Sequence, residues 1–305
     1  MTDMLGLLVM AYGTASGPED VERYYTDIRG GRTPAPELIE ELRERYAAIG
    51  NTFPLDRITR EQAAGLEAEL SKGRHPVKSY IGYKHSRPFV GDTVMHMGAE
   101  GIEDAVGIVM APHFSGMSIG SYIERARKQQ PRSMKLTFIE SWHTHPAFIE
   151  VLTKRVQDAR SQLDADARRN DLVIFSAHSL PEKILAEGDP YPEQLRETAE
   201  AVARKAAIER YTTGWQSAGR TSEPWLGPPL EEVVAKAGAD GHTGVIVSPC
   251  GFTADHLEVL YDVDIEAKRA ADTAGIPLVR TRSMNAEPDF IAAVAEVVRD
   301  HLEER

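Results

Sequence analysis

Apolar and polar positions alternate along this chain on two scales. Eight short, nearly continuous apolar runs fall at 5–11, 77–82, 105–111, 134–140, 171–177, 211–215, 243–248 and 276–279. Between them lie longer stretches whose apolar residues recur every three or four positions, the period of a helix with one buried face. Runs that are apolar throughout, rather than at every second residue, suit strands covered on both sides. Strand and helix in succession then predict parallel sheets joined by crossover helices. The helix starts are marked by Ser16 and Pro18 before EDVERYYTDI, by Pro146 before AFIEVLTKRV, and by Asp189 and Pro190 before YPEQLRETAEAVARKAA.

The two halves echo one another. GLLVMAYGT resembles DLVIFSAHS, and AVGIVMAPHFSG resembles HTGVIVSPCGFT. The expected architecture is α/β, with two similar Rossmann-like lobes, each a parallel sheet flanked by helices. Residues 1–145 form the first lobe, 146–285 the second, and 286–305 a C-terminal helix that packs back on the first. The ends of corresponding strands carry Tyr12 and His113 in one lobe, and His178 and Cys250 in the other. If the lobes face each other, those ends line a cleft between them, the usual place for a ligand in such folds. TSEPWLGPPLEE at 221–232 carries Trp225 and Leu226 among its prolines and reads as an ordered loop rather than a linker.

Composition narrows the function. With 305 residues, 42% of them hydrophobic, the chain can bury a core large enough for two lobes. A balance of 47 acidic against 35 basic residues gives a net charge of −12, which argues against nucleic acid or anionic lipid as partner. No segment approaches the roughly 20 apolar residues that cross a bilayer, and the opening MTDMLGLLVMAYG lacks the basic leader of a signal peptide. A cytoplasmic protein with no membrane insertion is expected. Cys250, the single cysteine, rules out an intrachain disulfide, a cysteine zinc cage and a self-contained iron–sulfur cluster, and reads as a small buried residue.

Two features carry candidate chemistry. In TADHLEVLYDVDIE, Glu258, Asp262 and Glu266 stand four residues apart on a predicted helix and share one stripe. Like charges at that spacing destabilise an isolated helix by roughly 0.2–0.5 kcal/mol per pair, so local folding does not favour the arrangement. A line of carboxylates suits protons or hydrated divalent cations; the plain alternative is a solvated face on an acidic protein. In SAHSLP, His178 falls at the end of an apolar strand, where α/β folds put their chemistry. His143 and His145 in WHTHP are an i, i+2 pair without further ligands, and no zinc is expected there.

Taken in order, GLLVMAYGT, RYY with RGGR, LRERYAAIG, IGYKH, APHFS with SYIERA, SAHSLPEKI, GDPYPEQL, GWQSAG, PWLGP and GFTADHLEVLYDVDIE resemble the ferrochelatases. The nearest match is to the coproporphyrin ferrochelatases of Gram-positive bacteria, over nearly the whole chain. That resemblance implies Fe²⁺ insertion into coproporphyrin III to give coproheme. Protoporphyrin IX is the nearest alternative substrate, a cobalt or sirohydrochlorin chelatase a more distant one, and a haem or coproheme carrier the alternative class. Retaining both His178 and Glu258 argues for an enzyme, since a carrier needs an axial ligand but no proton acceptor on the other face.

By the same resemblance, His178 and Glu258 handle metal and pyrrole protons; which of them delivers the metal and which takes the protons stays open, with coupled titration of both as one way to share the work. Asp262 and Glu266 form, with Arg45, a peripheral divalent-cation site. Tyr12 ligates iron from the opposite face in the product complex. Arg29, Arg45, Tyr46, Phe53 and Tyr122 make up the porphyrin-binding set, the arginines serving as forks for carboxylates. Phe53 stands where the family carries a small hydroxyl residue, with Thr52 beside it as a substitute, and position 30 is Gly where relatives can carry Arg. His85 matches a position near the cleft. Iron is a substrate and no cofactor is permanently bound. The first loop, SGPEDVERYY, shows no apolar extension toward lipid, which favours the tetracarboxylate porphyrin. The expected form is a monomer, and the expected protein partner is the next haem-synthesis enzyme, in transient contact.

Overall fold

The structure is a computed structural model and describes residues 4–73 and 75–305. Eight strands form two sheets of four. In the first, β1 (Leu5–Ala11), β2 (Val77–Tyr83), β3 (Asp104–Val109) and β4 (Lys135–Ile139) lie in the order β2-β1-β3-β4. In the second, β5 (Asp171–His178), β6 (Tyr211–Gln216), β7 (Gly244–Ser248) and β8 (Leu278–Arg280) repeat it as β6-β5-β7-β8. All six ladders are parallel. The sequence echo is thus a structural one: β1 and β5 are the equivalent inner strands, as are β3 and β7. Every expected strand is present, with ends shifted by no more than two residues.

The helices are α1 (Val21–Ile28), α2 (Pro36–Ala48), α3 (Leu55–Leu70), α4 (Val90–Ala99), α5 (Ser121–Gln129), α6 (Pro146–Ser161), α7 (Lys183–Ala186), α8 (Tyr191–Ala206), α9 (Leu230–Ala239), α10 (Lys268–Ala274) and α11 (Pro288–Glu304). The first starts later than the sequence suggests. Pro18–Asp20 form a separate 3₁₀ turn, and Ser16 gives its backbone N–H to Asp20 Oδ2 at 2.9 Å instead of capping the helix with its hydroxyl.

Alternation along the strands distributes side chains between distinct cores. Leu7 and Val9 of β1, with Val173, Phe175 and Ala177 of β5, enter one apolar cluster that also takes Phe148, Leu195, Phe290 and Val294 and so spans both lobes. Leu8 and Met10 face the opposite way, into a cluster with Val94, Met97 and Ile123. Leu172 and Ile174 do likewise in the second lobe, against Val234, Val263 and Ala271. Helix α11 packs against α3 of the first lobe and α6 of the second. At its start, Asp289 receives a bidentate pair from the buried Arg155 at 2.8 and 2.9 Å.

Candidate active site

The carboxyl ends of the inner strands open into one cleft of about 640 Å³ between the lobes. Tyr12 follows β1 directly. Gly13, at φ +92°, then turns the chain in a conformation suited to glycine, and a Cβ there would run into Ser86. His178 ends β5. Its Nδ1 lies 2.9 Å from Glu258 Oε2, and its carbonyl accepts from the Tyr191 hydroxyl at 3.0 Å. The two groups expected on either side of a bound ring are therefore a directly bonded pair from one lobe, and Tyr12 is the group that comes from the other.

Charge coupling within the pair is strong. Burial works against ionisation of both, but each partner outweighs it: the imidazole is held above its ordinary range, and the Glu258 carboxyl, next to His178 and His256, well below its own. His256 Nδ1 bonds the Ala254 carbonyl at 2.9 Å, and its Nε2 stands 3.9 Å from Glu258 Oε2. Gln216, at the end of β6, donates from Nε2 to the Glu258 carbonyl at 3.2 Å.

The acidic stripe is real, but its helix is not the α-helix the spacing suggests. Val259–Ala267 is a π-helix that runs on into α10. Its wider i→i+5 turn still brings residues four apart to nearly the same face, and such turns concentrate at functional sites. Asp262 and Glu266 both reach Arg45 Nη2, at 3.2 and 3.5 Å, and Asp262 also accepts from the Ser217 hydroxyl. Arg45 stacks over the Tyr261 ring at 4.5 Å. Burial pushes the Asp262 carboxyl up to about 7, against Arg45 and the Ser217 hydrogen bond. The stripe thus runs from an ionised Glu258 to a carboxyl near half-protonation at neutral pH.

The residues expected to bind porphyrin are only partly gathered on the cleft. Tyr12, Arg45, Tyr46 and Tyr122 line the cleft. Phe53 instead stacks on Tyr46, with ring centroids 4.2 Å apart, in a small cluster with Ala15, Val21 and Tyr24. A large aromatic side chain is better buried against another ring than left facing the cleft. Arg29 also lies off the cleft wall, its Nε buried without a partner and its guanidinium 6.0 Å from the Tyr25 ring centre. His85 is buried, packed on Tyr12 at 4.6 Å and bonded to Asp27 at 2.8 Å; burial pushes its imidazole down to about 4. His143 bonds Ser141 and Glu197, each at 2.7 Å, and His145 bonds Asp300 at 3.1 Å. Cys250 is buried, its thiol pushed up to about 12 by that burial.

Gln216, Ser217, His256 and Lys84 also line the cleft, although no spacing singled them out. A signal existed for three of them. Gln216 closes a strand and Ser217 follows it, and His256 stands two residues before Glu258.

The family model named Ferrochelatase matches residues 4–302. This chain belongs to the ferrochelatase family. It is 48% identical over 304 residues to the coproporphyrin III ferrochelatase of Anoxybacillus flavithermus, covering 98% of this chain and 96% of that one. To the coproporphyrin III ferrochelatase of Bacillus subtilis it is 46% identical, over 98% of both chains. Among solved structures, the sirohydrochlorin chelatase SirB from Bacillus subtilis subspecies spizizenii, in complex with cobalt, superposes with a TM-score of 0.59 at 13% identity, over 99% of this chain and 96% of that chain. CbiX, a terminal enzyme of sirohaem biosynthesis, gives 0.54 at 14% identity, over 97% and 98%. At those identities the likeness is one of fold, and it is that of a two-lobed chelatase. This ferrochelatase-family chain has, among its described residues, no helix long and apolar enough to cross a membrane.

Proposed function

We propose that the enzyme inserts Fe²⁺ into coproporphyrin III and releases coproheme. The observation that carries this reading is the His178–Glu258 pair at 2.9 Å, facing a cleft whose other wall presents Tyr12. The net reaction breaks two pyrrolic N–H bonds, forms iron–nitrogen bonds in their place and releases two protons. It therefore needs a base close to the macrocycle, a way to strip water from the ion, and a shape that exposes the nitrogen lone pairs.

His178 and Glu258 supply the first. As a coupled pair they carry one proton, which passes outward before each of the two pyrrole protons is taken up in turn. Asp262 and Glu266 extend the carboxylate line from Glu258, held by Arg45, and suit either outward passage of protons or inward passage of a hydrated cation. Tyr12 offers a phenol oxygen to the metal from the first lobe. Tyr46 and Tyr122 contribute ring surface and hydroxyls to the walls, and Arg45 a guanidinium fork for a carboxylate. Iron enters as substrate, and the chemistry calls for no resident cofactor.

The coproporphyrin preference draws on the relatives of 46–48% identity that carry that name. The test is anaerobic Fe²⁺ insertion followed by absorbance, with coproporphyrin III and protoporphyrin IX in parallel. A higher kcat/KM for coproporphyrin III supports the reading. A preference for protoporphyrin IX overturns the substrate, and binding without turnover overturns the reaction.

A further inference from the structure

Among the described residues, three Lys or Arg side chains line the cleft: Arg45, Lys84 and Arg220. Two are already matched by acids. Arg45 is held by Asp262 and Glu266, and Arg220 by Glu41 on α2. Lys84, just past the end of β2, has no carboxylate within ion-pair distance. Its Nζ makes one long hydrogen bond, 3.3 Å to the Met117 carbonyl, and lies over the Tyr122 ring at 5.2 Å. Asp27 is bonded to His85, the residue that follows Lys84.

A second cation stands beside it. Arg125 of α5 donates from Nη1 to the Lys84 carbonyl at 2.7 Å and likewise lacks a carboxylate partner among the described residues. Two positive groups together, one of them on a cleft wall with nothing to neutralise it, form an arrangement that an anion completes. Burial, with the Arg125 charge added, pushes the Lys84 amine down to about 8, the response of a cation short of a partner.

We propose that Lys84, backed by Arg125, is a carboxylate subsite of this cleft, distinct from Arg29 and Arg45, and that it engages one peripheral carboxylate of the porphyrin. The inference rests on the proposed tetracarboxylate substrate and deepens it. A macrocycle with carboxylates all around its rim presents one on the Lys84 side of the cleft. One whose two carboxylates share an edge engages a single station.

The experiment is a fluorescence titration of metal-free coproporphyrin III and mesoporphyrin IX, at low and high salt, with wild type, Lys84→Met, Lys84→Arg, Lys84→Glu and Arg125→Gln. Lys84→Met should weaken coproporphyrin III binding about tenfold, the size of one partly desolvated charged hydrogen bond. Lys84→Glu should weaken it further, Lys84→Arg should restore it, and the preference over mesoporphyrin IX should shrink. Arg125→Gln should weaken it less than Lys84→Met. The salt dependence of coproporphyrin binding should flatten in Lys84→Met, a change that loss of packing alone does not produce. Unchanged coproporphyrin binding in Lys84→Met, or equal loss of both porphyrins with unaltered salt dependence, overturns the subsite and leaves the substrate reading intact. Wild type that binds mesoporphyrin IX but not coproporphyrin III overturns both.

Discussion

Gln216 fixes Glu258 from behind. Its Nε2 donates to the Glu258 carbonyl at 3.2 Å while its Oε1 accepts from the Ser176 hydroxyl at 2.7 Å, so one buried amide ties the acid's backbone to the strand that carries His178. Gln216→Leu cuts both bonds and leaves a buried hydroxyl unpaired, a cost of about 1–3 kcal/mol. Turnover should fall about tenfold while porphyrin affinity stays close to wild type, since a positioning residue acts on kcat rather than on binding. Steady-state iron insertion beside a porphyrin titration reads both.

Much of this frame is legible in the sequence because it depends on local patterns. Apolar runs mark all eight strands, and the echo between GLLVMAYGT and DLVIFSAHS marks β1 and β5 as equivalents. What escaped depends on pairings made only in three dimensions. Eighty residues separate His178 from Glu258, and no spacing rule says that they touch. The π-helix looks like an α-helix because both align residues four apart. Phe53 kept its place in the motif order, yet its ring found a partner in Tyr46 instead of facing the cleft. Lys84 was visible only as one letter of IGYKH, since its missing acid partner is a property of the folded neighbourhood.

The acidic stripe predicts a metal-side phenotype. Asp262→Asn keeps the shape and a hydrogen-bonding group facing Arg45 and Ser217 but removes the negative charge that Asp262 carries in full only above its raised value of about 7, so the comparison is made at pH 8. Such a charge on a partly screened wall is worth about 1 kcal/mol, a factor of about 5. The apparent KM for Fe²⁺ should rise by that factor while porphyrin affinity holds, and varying iron at fixed porphyrin separates the two.

His113 predicts acid sensitivity. It is buried at the junction of the lobes, bonded to Thr198 at 2.9 Å, and burial pushes its imidazole down to about 3. The unfolded chain binds this proton near pH 6.5 and the folded chain does not, so the contribution is complete above pH 6.5 and is lost as pH falls toward 3. Between pH 7 and pH 5 the loss is about 2 kcal/mol. His85, pushed down to about 4, acts in the same direction. Denaturant midpoints should fall over that interval, and His113→Asn should flatten the fall.

Asp289 predicts a stability effect without a catalytic one. Arg155 is 1% exposed and its guanidinium is neutralised by Asp289, while its Nε has no partner. Asp289→Ala leaves that buried charge uncompensated and should cost about 3 kcal/mol, more than Arg155→Met, which removes the charge itself. Thermal unfolding of the two variants gives the order, and iron insertion well below the transition should be unaffected in both.

The central claim is that Glu258, paired with His178, does chemistry rather than holding the porphyrin. Porphyrin affinity and anaerobic Fe²⁺ insertion measured on the same preparation of Glu258→Gln test it most directly. Affinity should stay within about threefold of wild type and turnover should fall by about a hundredfold or more, the scale of losing a positioned acid–base group. Turnover close to wild type, or a loss of turnover matched by an equal loss of affinity, would contradict it.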